Sequence, residues 1–228
     1  VQALDEKEAC VCVMASPKET NQFSEEELRR KTTVVAVQEI DLSNLDQVRR
    51  YFDLLRNESN RFHFVGVPQS IEEFTEELRR DNMHGLVGIN ELEEEIGFVT
   101  IEDARPWEHD HWLERIVVVN ELQNKKRGDI KNVGRQFLDK SVEWAFTTLT
   151  YDKRLRMKLD AAVVMFVPNW ERADHLFIHY GFEPRMRNPN QADVIVYGVH
   201  MTKDVQRFEL TRDRWQAMTA LRKQALPR

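Results

Sequence analysis

Between Asn124 and Gln136 the chain sets Lys125, Lys126, Arg127, Lys131 and Arg135 against Asp129 alone, within a protein whose net charge is -6. Gly128 and Gly134 are interleaved with these cations, and an apolar stripe at helical spacing begins at Val133. A helix start exposes unpaired backbone N–H groups and a partial positive charge, so cations and glycines placed there are the parts of an anion site. A local cationic turn in an acidic chain suits one small anionic ligand better than a polyanion, which needs Lys and Arg clustered over a face. The alternative is a solvated basic loop. It accounts for the charge but not for a strand leading in and a helix leading out.

Glu114 is the second chemically suggestive residue. It interrupts the apolar run Trp112 to Val119, where a carboxylate is costly unless it is paired or functional. The competing reading turns it outward by strand alternation to pair with Arg115 or a neighbouring strand. Glu108, His109, Asp110 and His111 look like metal ligands, but nothing else in the chain completes a zinc set at recognisable spacing, and no metal is expected. His175 and His179 share a helix face and read as surface residues. Cys10 and Cys12 lack the basic neighbours that would activate a thiol, and they suggest no disulfide framework.

Such groups need elements to hold them, and the sequence spells out most of these. Ser24 with Glu27 forms a capping box for a short helix, with Phe23 and Leu28 as its staple. Thr33 to Ile40 is β-branched and apolar, which predicts a strand. Leu45, Val48, Phe52 and Leu55 recur at helical spacing behind Asp41 or Ser43 as start signal. Ser70 and Glu73 open another helix carrying Ile71, Phe74 and Leu78. Two strands, Gly85 to Leu92 and Ile96 to Ile101, flank an acidic link, and Trp112 to Val119 supplies a third. A long helix from Asn132 to Leu149 follows, then a buried strand at Asp160 to Val167. The order closes with a helix from Glu171 to Tyr180 ended by Gly181, a strand at Ala192 to Met201 and a helix from Leu210 to Leu226. This predicts a mixed α/β sheet with antiparallel strands in its middle. Residues 1–32, including a short strand at Ala9 to Met14, read as an extension, 33–203 as the domain, and 204–228 as a C-terminal helix. The two outer pieces either pack on the domain or form a partner surface.

A chain of 228 residues with 41% apolar content can bury a substantial core. No run approaches the roughly 18 to 20 apolar residues of a membrane span. Asp5, Glu6, Lys7 and Glu8 do not form the basic lead-in of a signal peptide. The expectation is a cytoplasmic protein with neither a membrane nor a nucleic-acid partner.

Three stretches, in order, resemble the GNAT superfamily of N-acyltransferases. Trp112-Leu-Glu-Arg-Ile-Val-Val-Val119 resembles its central strand. Arg127-Gly-Asp-Ile-Lys-Asn-Val-Gly-Arg-Gln-Phe-Leu138 resembles its pyrophosphate loop and the helix that follows. Ala173-Asp-His-Leu-Phe-Ile-His-Tyr-Gly-Phe182 is similar to its Ala-x-x-Leu-Tyr-x-x-x-Gly-Phe ending. With the element order, the likeness covers about Thr33 to Lys203. It implies a GNAT-like mixed central sheet flanked by helices, and transfer of an acetyl group from acetyl-CoA, as co-substrate, to a primary amine of a small molecule or peptide. Lys126, Arg127, Gly128, Lys131, Asn132, Val133, Gly134 and Arg135 would then grip the pyrophosphate. A strand break near Ile116, Val117 and Val118 would offer backbone groups to the thioester and pantetheine, with Asn169 on the pantetheine arm. Glu114 would be the general base. Tyr180 would protonate the leaving thiolate or else be a core residue. The sequence departs from the family pattern at Ile130 and Asn132, where glycine or alanine is usual, and at Phe177, where tyrosine is usual. These departures suit an alternative, a non-catalytic CoA-binding module of the same fold. The acidic stretches Glu91 to Glu95 and Glu108 to Asp110 suit a cationic acceptor, and a homodimer is compatible with the sequence.

Overall fold

Three helices begin where a side-chain oxygen stands ready for the first-turn amides. The computed structural model describes residues 24–57, 68–103, 110–119, 122, 133–149, 158–164, 170–196 and 199–225. Ser24 caps α1 (Glu25–Thr32) by accepting from the Glu27 amide at 3.2 Å. Asn44, rather than Asp41 or Ser43, caps α2 (Leu45–Arg56) through the Gln47 amide, also at 3.2 Å. Asp41 instead accepts from the Ser43 amide and hydroxyl, closing the turn ahead of the helix. Ser70 caps α3 (Ile71–Leu78), while the Glu73 carboxylate accepts from the Gln69 amide at 2.7 Å. Satisfying these orphan donors is worth about 1 kcal/mol per cap.

The strands are β1 (Val34–Glu39), β2 (Met83–Asn90), β3 (Glu95–Glu102), β4 (Asp110–Val118), β5 (Lys158–Val164), β6 (Glu183–Val196) and β7 (Val199–Thr211). They form one sheet in the order β1-β2-β3-β4-β5-β7-β6. Every pairing is antiparallel except β4 with β5. That parallel pair requires a crossover, and α4 (Val133–Thr148) lies in the connection.

Each sheet face carries its own core. On one side α2 and α3 bury Val48, Tyr51, Leu55 and Phe74 against Val87, Phe98 and Val117. On the other, α4 and α5 (Trp170–Tyr180) bury Phe137, Leu138, Phe146, Phe177 and Tyr180 against Leu86, Val99, Leu159 and Phe208. Burial of each such side chain contributes roughly 1.5–3 kcal/mol. Gly88 and Gly97 face each other across β2 and β3, and the Phe137 ring fills the space their missing Cβ atoms leave. This seat draws the first turns of α4 close to the centre of the sheet.

The C-terminal part differs from the expectation. The stretch read as one strand, Ala192 to Met201, is the closed end of a long hairpin in which Val196 pairs with Val199. β7 continues to Thr211, so a division after Lys203 falls inside the sheet. The last helix, α6 (Arg212–Ala225), starts two residues after Leu210. β7 lies between β5 and β6, and its buried residues Val205, Phe208 and Leu210 follow no simple alternation. Pro184 and Pro189 disguise β6, yet both are tolerated because β6 is an edge strand.

Both outer helices pack on the domain. Arg29 and Lys31 of α1 pair with Glu91 at 3.0 Å and Glu94 at 3.3 Å. Trp215 of α6 lies 5.2 Å from the Phe146 ring, and the Arg214 guanidinium donates to the Gly181 carbonyl. Gly181 ends α5 at φ 123°, a conformation glycine adopts without penalty. The expected strand at Ala9 to Met14, with Cys10 and Cys12, lies outside the described residues, as does Phe23.

Candidate active site around the β4 bulge

The β3–β4 register places an irregularity at Glu114. Ile101 pairs with Leu113 and Thr100 with Arg115, so one step along β3 spans two along β4. Glu114 is the extra residue, a β-bulge. The side chains follow. Leu113 enters the core under α4 and α5, whereas Arg115 and Val117 turn to the α2/α3 side. Ile116 and Val118 pack against the α4 side. A regular strand would have put Leu113, Arg115 and Val117 on one face.

The parallel ladder of β4 with β5 ends at Leu113 and Ala161, although β4 runs on to Val118 and β5 to Val164. The two strands part at the bulge, Leu113 being the last paired residue of β4. The expected break near Ile116, Val117 and Val118 therefore coincides with a stretch of β4 that has left its parallel partner. The parting starts at Glu114, earlier than expected.

Glu114 keeps 32% of its side-chain surface exposed. Its partial burial raises its proton affinity, Arg115 opposes that, and the nearby carboxylates Glu102 and Glu77 reinforce it. Glu102, on the neighbouring strand β3, has an Oε1 that accepts from the Asn82 amide group at 3.0 Å. Arg115 is 5% exposed and forms a close charge-assisted hydrogen bond to Glu77, itself 8% exposed, while standing 3.9 Å from Glu114. The expected alternative of Glu114 pairing with Arg115 is thus present only as this longer contact. At the start of the strand, His111 is buried with Nδ1 2.8 Å from Asp103.

The sequence offers Arg115 as a partner for Glu114, but it points to neither Glu77 nor Glu102. A signal existed for Glu77, which is three residues after Phe74 and therefore shares the apolar face of α3. Nothing in the sequence marks Glu102.

At the start of α4, Val133 is buried, Gly134 half-buried and Arg135 exposed. Gln136 fixes this turn to the opposite edge of the sheet. Its amide nitrogen donates to the Thr32 carbonyl at 2.9 Å, and its oxygen accepts from the Val34 amide at 3.2 Å. Lys126, Arg127, Gly128, Lys131, Asn132 and Asn169 lie outside the described residues, as do Glu108 and His109.

Tyr180 is 1% exposed, and its hydroxyl lies 2.9 Å from Asp139 of α4. The Arg222 guanidinium of α6 covers its ring at 4.3 Å and also meets Asp139. Burial, followed by the Asp139 charge, pushes its hydroxyl well above the usual phenol range. Of the two roles open from sequence, this packing favours the core residue. Phe177 stacks on Phe208 and meets Phe182 edge-on, 4% exposed. The acidic link also has structural work: Glu91 and Glu94 hold α1, and Glu95 accepts from Arg50 and Tyr51 of α2. Among the described residues, the carboxylates gathered at the bulge are Glu77, Glu102 and Glu114. Among the described residues no three or more His, Cys, Asp or Glu side chains are arranged so that they could hold a metal ion together, and no helix is long and apolar enough to cross a membrane.

No protein-family model matches the sequence, and no curated protein matches it. Solved structures do. A spermidine N-acetyltransferase from Vibrio cholerae, in complex with CoA and spermine, superposes with a TM-score of 0.62 at 16% identity, covering 79% of this chain and 97% of that one. A dodecameric structure of spermidine N-acetyltransferase from the same organism, in an intermediate state, gives a TM-score of 0.58 at 17% identity, covering 79% and 95%. The likeness is one of fold: the mixed sheet flanked by helices expected from the sequence is the fold observed.

Proposed function

We propose that this protein transfers the acetyl group of acetyl-CoA to a primary amine of a cationic acceptor. The carrying observation is the bulge, which puts an exposed edge of Glu114 where β4 leaves β5, in a fold shared with a spermidine N-acetyltransferase solved in complex with CoA and spermine. An ammonium must lose a proton before its nitrogen attacks a thioester carbonyl. A carboxylate with raised proton affinity is suited to take it. The backbone of Ile116, Val117 and Val118 is the reading for thioester and pantetheine contacts, with N–H groups available to a developing oxyanion. The cations Lys126, Arg127, Lys131 and Arg135, with Gly128, Asn132, Val133 and Gly134 at the helix start, are the reading for the pyrophosphate, and Asn169 for the pantetheine arm. The acceptor side rests on Glu102 and Glu114 rather than on the ion-paired link at Glu91 to Glu95.

The buried Phe177 and the Asp139-bound Tyr180 favour a second reading, a CoA-binding module without turnover, since neither is placed to protonate a thiolate. One set of measurements separates the two. Acetyl-CoA is titrated calorimetrically into the protein, and thiol release is followed with spermidine, spermine and simpler primary amines. The enzyme reading expects binding and amine-dependent thiol release, with Glu114→Gln lowering turnover by about 10²–10⁴-fold. Binding without release across the panel selects the module. Reversal of charge at Lys126 and Arg127 should weaken binding in either case, and unchanged affinity would remove the loop assignment.

A further inference from the structure

Glu77 and Arg115 form a buried ion pair directly beneath the bulge, and Arg115 has two carboxylates within reach of one guanidinium. It lies against Glu77 in a close hydrogen bond and 3.9 Å from Glu114. Removing two charges from water is costly, and a buried pair of this kind adds little stability compared with well-packed apolar residues. The unequal sharing of the guanidinium has a consequence for Glu114. A cation held fully against Glu114 would stabilise its ionised form and weaken it as a base.

We infer that Glu77 is a positioning residue for Glu114: by holding Arg115 against α3, it stops the guanidinium from closing onto Glu114 and leaves that carboxylate able to accept a proton from an incoming ammonium. This rests on the reading of Glu114 as the general base. Among the described residues, the charged groups acting on Glu114 are Arg115 from β4 itself, Glu102 from β3 and Glu77 from α3. On β5, Asp160 sits opposite Trp112, two positions earlier. The proton moves from the ammonium nitrogen to a Glu114 carboxylate oxygen, leaving a neutral amine lone pair and a neutral carboxyl.

The test uses the full chain labelled with ¹³C at glutamate carboxyls, with Glu114→Gln identifying the Glu114 resonance. Glu77→Gln frees the guanidinium and removes a repelling charge, so the Glu114 midpoint should move to lower pH. The double variant Glu77→Gln with Arg115→Met removes both buried charges, and its midpoint should rise above that of the parent chain, because Arg115 is the larger influence. The double variant also carries the test if Glu77→Gln alone fails to fold. A midpoint that stays put in both variants, or moves opposite to these directions, overturns the inference. In the acetyl-transfer assay, the acid limb of kcat/KM should follow the carboxyl midpoint in each variant. If Glu114→Gln leaves that limb in place, the general-base reading fails and the positioning role falls with it. If Glu114→Gln abolishes the limb but Glu77→Gln does not shift it, only the role of Glu77 is refuted.

Discussion

Gly88→Ala offers a direct measure of how α4 is seated. A Cβ at Gly88 would lie 2.7 Å from both Cδ2 and Cε2 of Phe137 and 3.3 Å from Ile96. Inserting a carbon into a packed core costs roughly 1–3 kcal/mol, while replacing glycine inside a strand regains roughly 0.5–1 kcal/mol of backbone entropy. Taking the middle of each range, the net cost should be about 1 kcal/mol, a fall in Tm of roughly 2–4 °C for a chain of this size. The closest contacts are both with the Phe137 ring, so a smaller residue at 137 should relieve most of the clash. The same substitution in a Phe137→Leu background should therefore cost clearly less than in the parent chain, giving a favourable coupling energy in the double-mutant cycle. Gly97→Ala is the control. Its Cβ would stand 2.5 Å from the Val117 carbonyl as well as 3.0 Å from Phe137, and a backbone contact persists whatever occupies position 137. Guanidinium denaturation of the four chains in the cycle supplies the free energies. If Gly88→Ala costs the same in both backgrounds, the Phe137 ring does not fill that seat and the account of α4 placement is wrong.

Three further outcomes follow from the same geometry. The folded chain raises the proton affinity of Glu114, so its contribution to stability is complete below the unfolded carboxylate range and is lost as pH rises through the folded value. The Tm of Glu114→Gln relative to the parent should accordingly increase between about pH 4 and neutrality, and a constant difference in calorimetry would contradict the burial assigned to it. Tyr180→Phe removes the hydrogen bond to Asp139 and should cost roughly 0.5–1.5 kcal/mol while leaving acetyl transfer intact. Lost turnover at unchanged Tm would return Tyr180 to the chemistry. Ser70→Ala should cost about 1 kcal/mol by uncapping the helix that carries Glu77, visible as a lower denaturation midpoint; an unchanged midpoint would mean the cap is idle.

The fold was legible where local signals and periodicity agree. Ser24 with Glu27 and Ser70 with Glu73 mark helix starts that the structure realises, and the stripe from Val133 through Phe137 to Phe146 predicts α4 nearly to its ends. The β6–β7 hairpin was not legible, because β6 is polar and carries two prolines while β7 is covered by strands on both sides. At the candidate site, Glu114 stood out as a charge in an apolar run. Arg115 beside it was an evident partner, but its turn towards Glu77 was not, since the bulge that directs it to α3 depends on pairing with β3 and leaves no trace in β4 alone.

The two hydrogen bonds of Gln136 make the first turn of α4 a latch on an edge strand. Among the described residues β1 pairs with β2 alone, and Val34 at its start donates to the Gln136 side chain. Native-state hydrogen exchange reads local openings, which cost less where few buried contacts hold a segment. The Val34 amide can exchange only when this latch releases, so its protection reports on the order of the α4 start from the far side of β2. An anion bound at that helix start should slow exchange at Val34, a residue it does not touch.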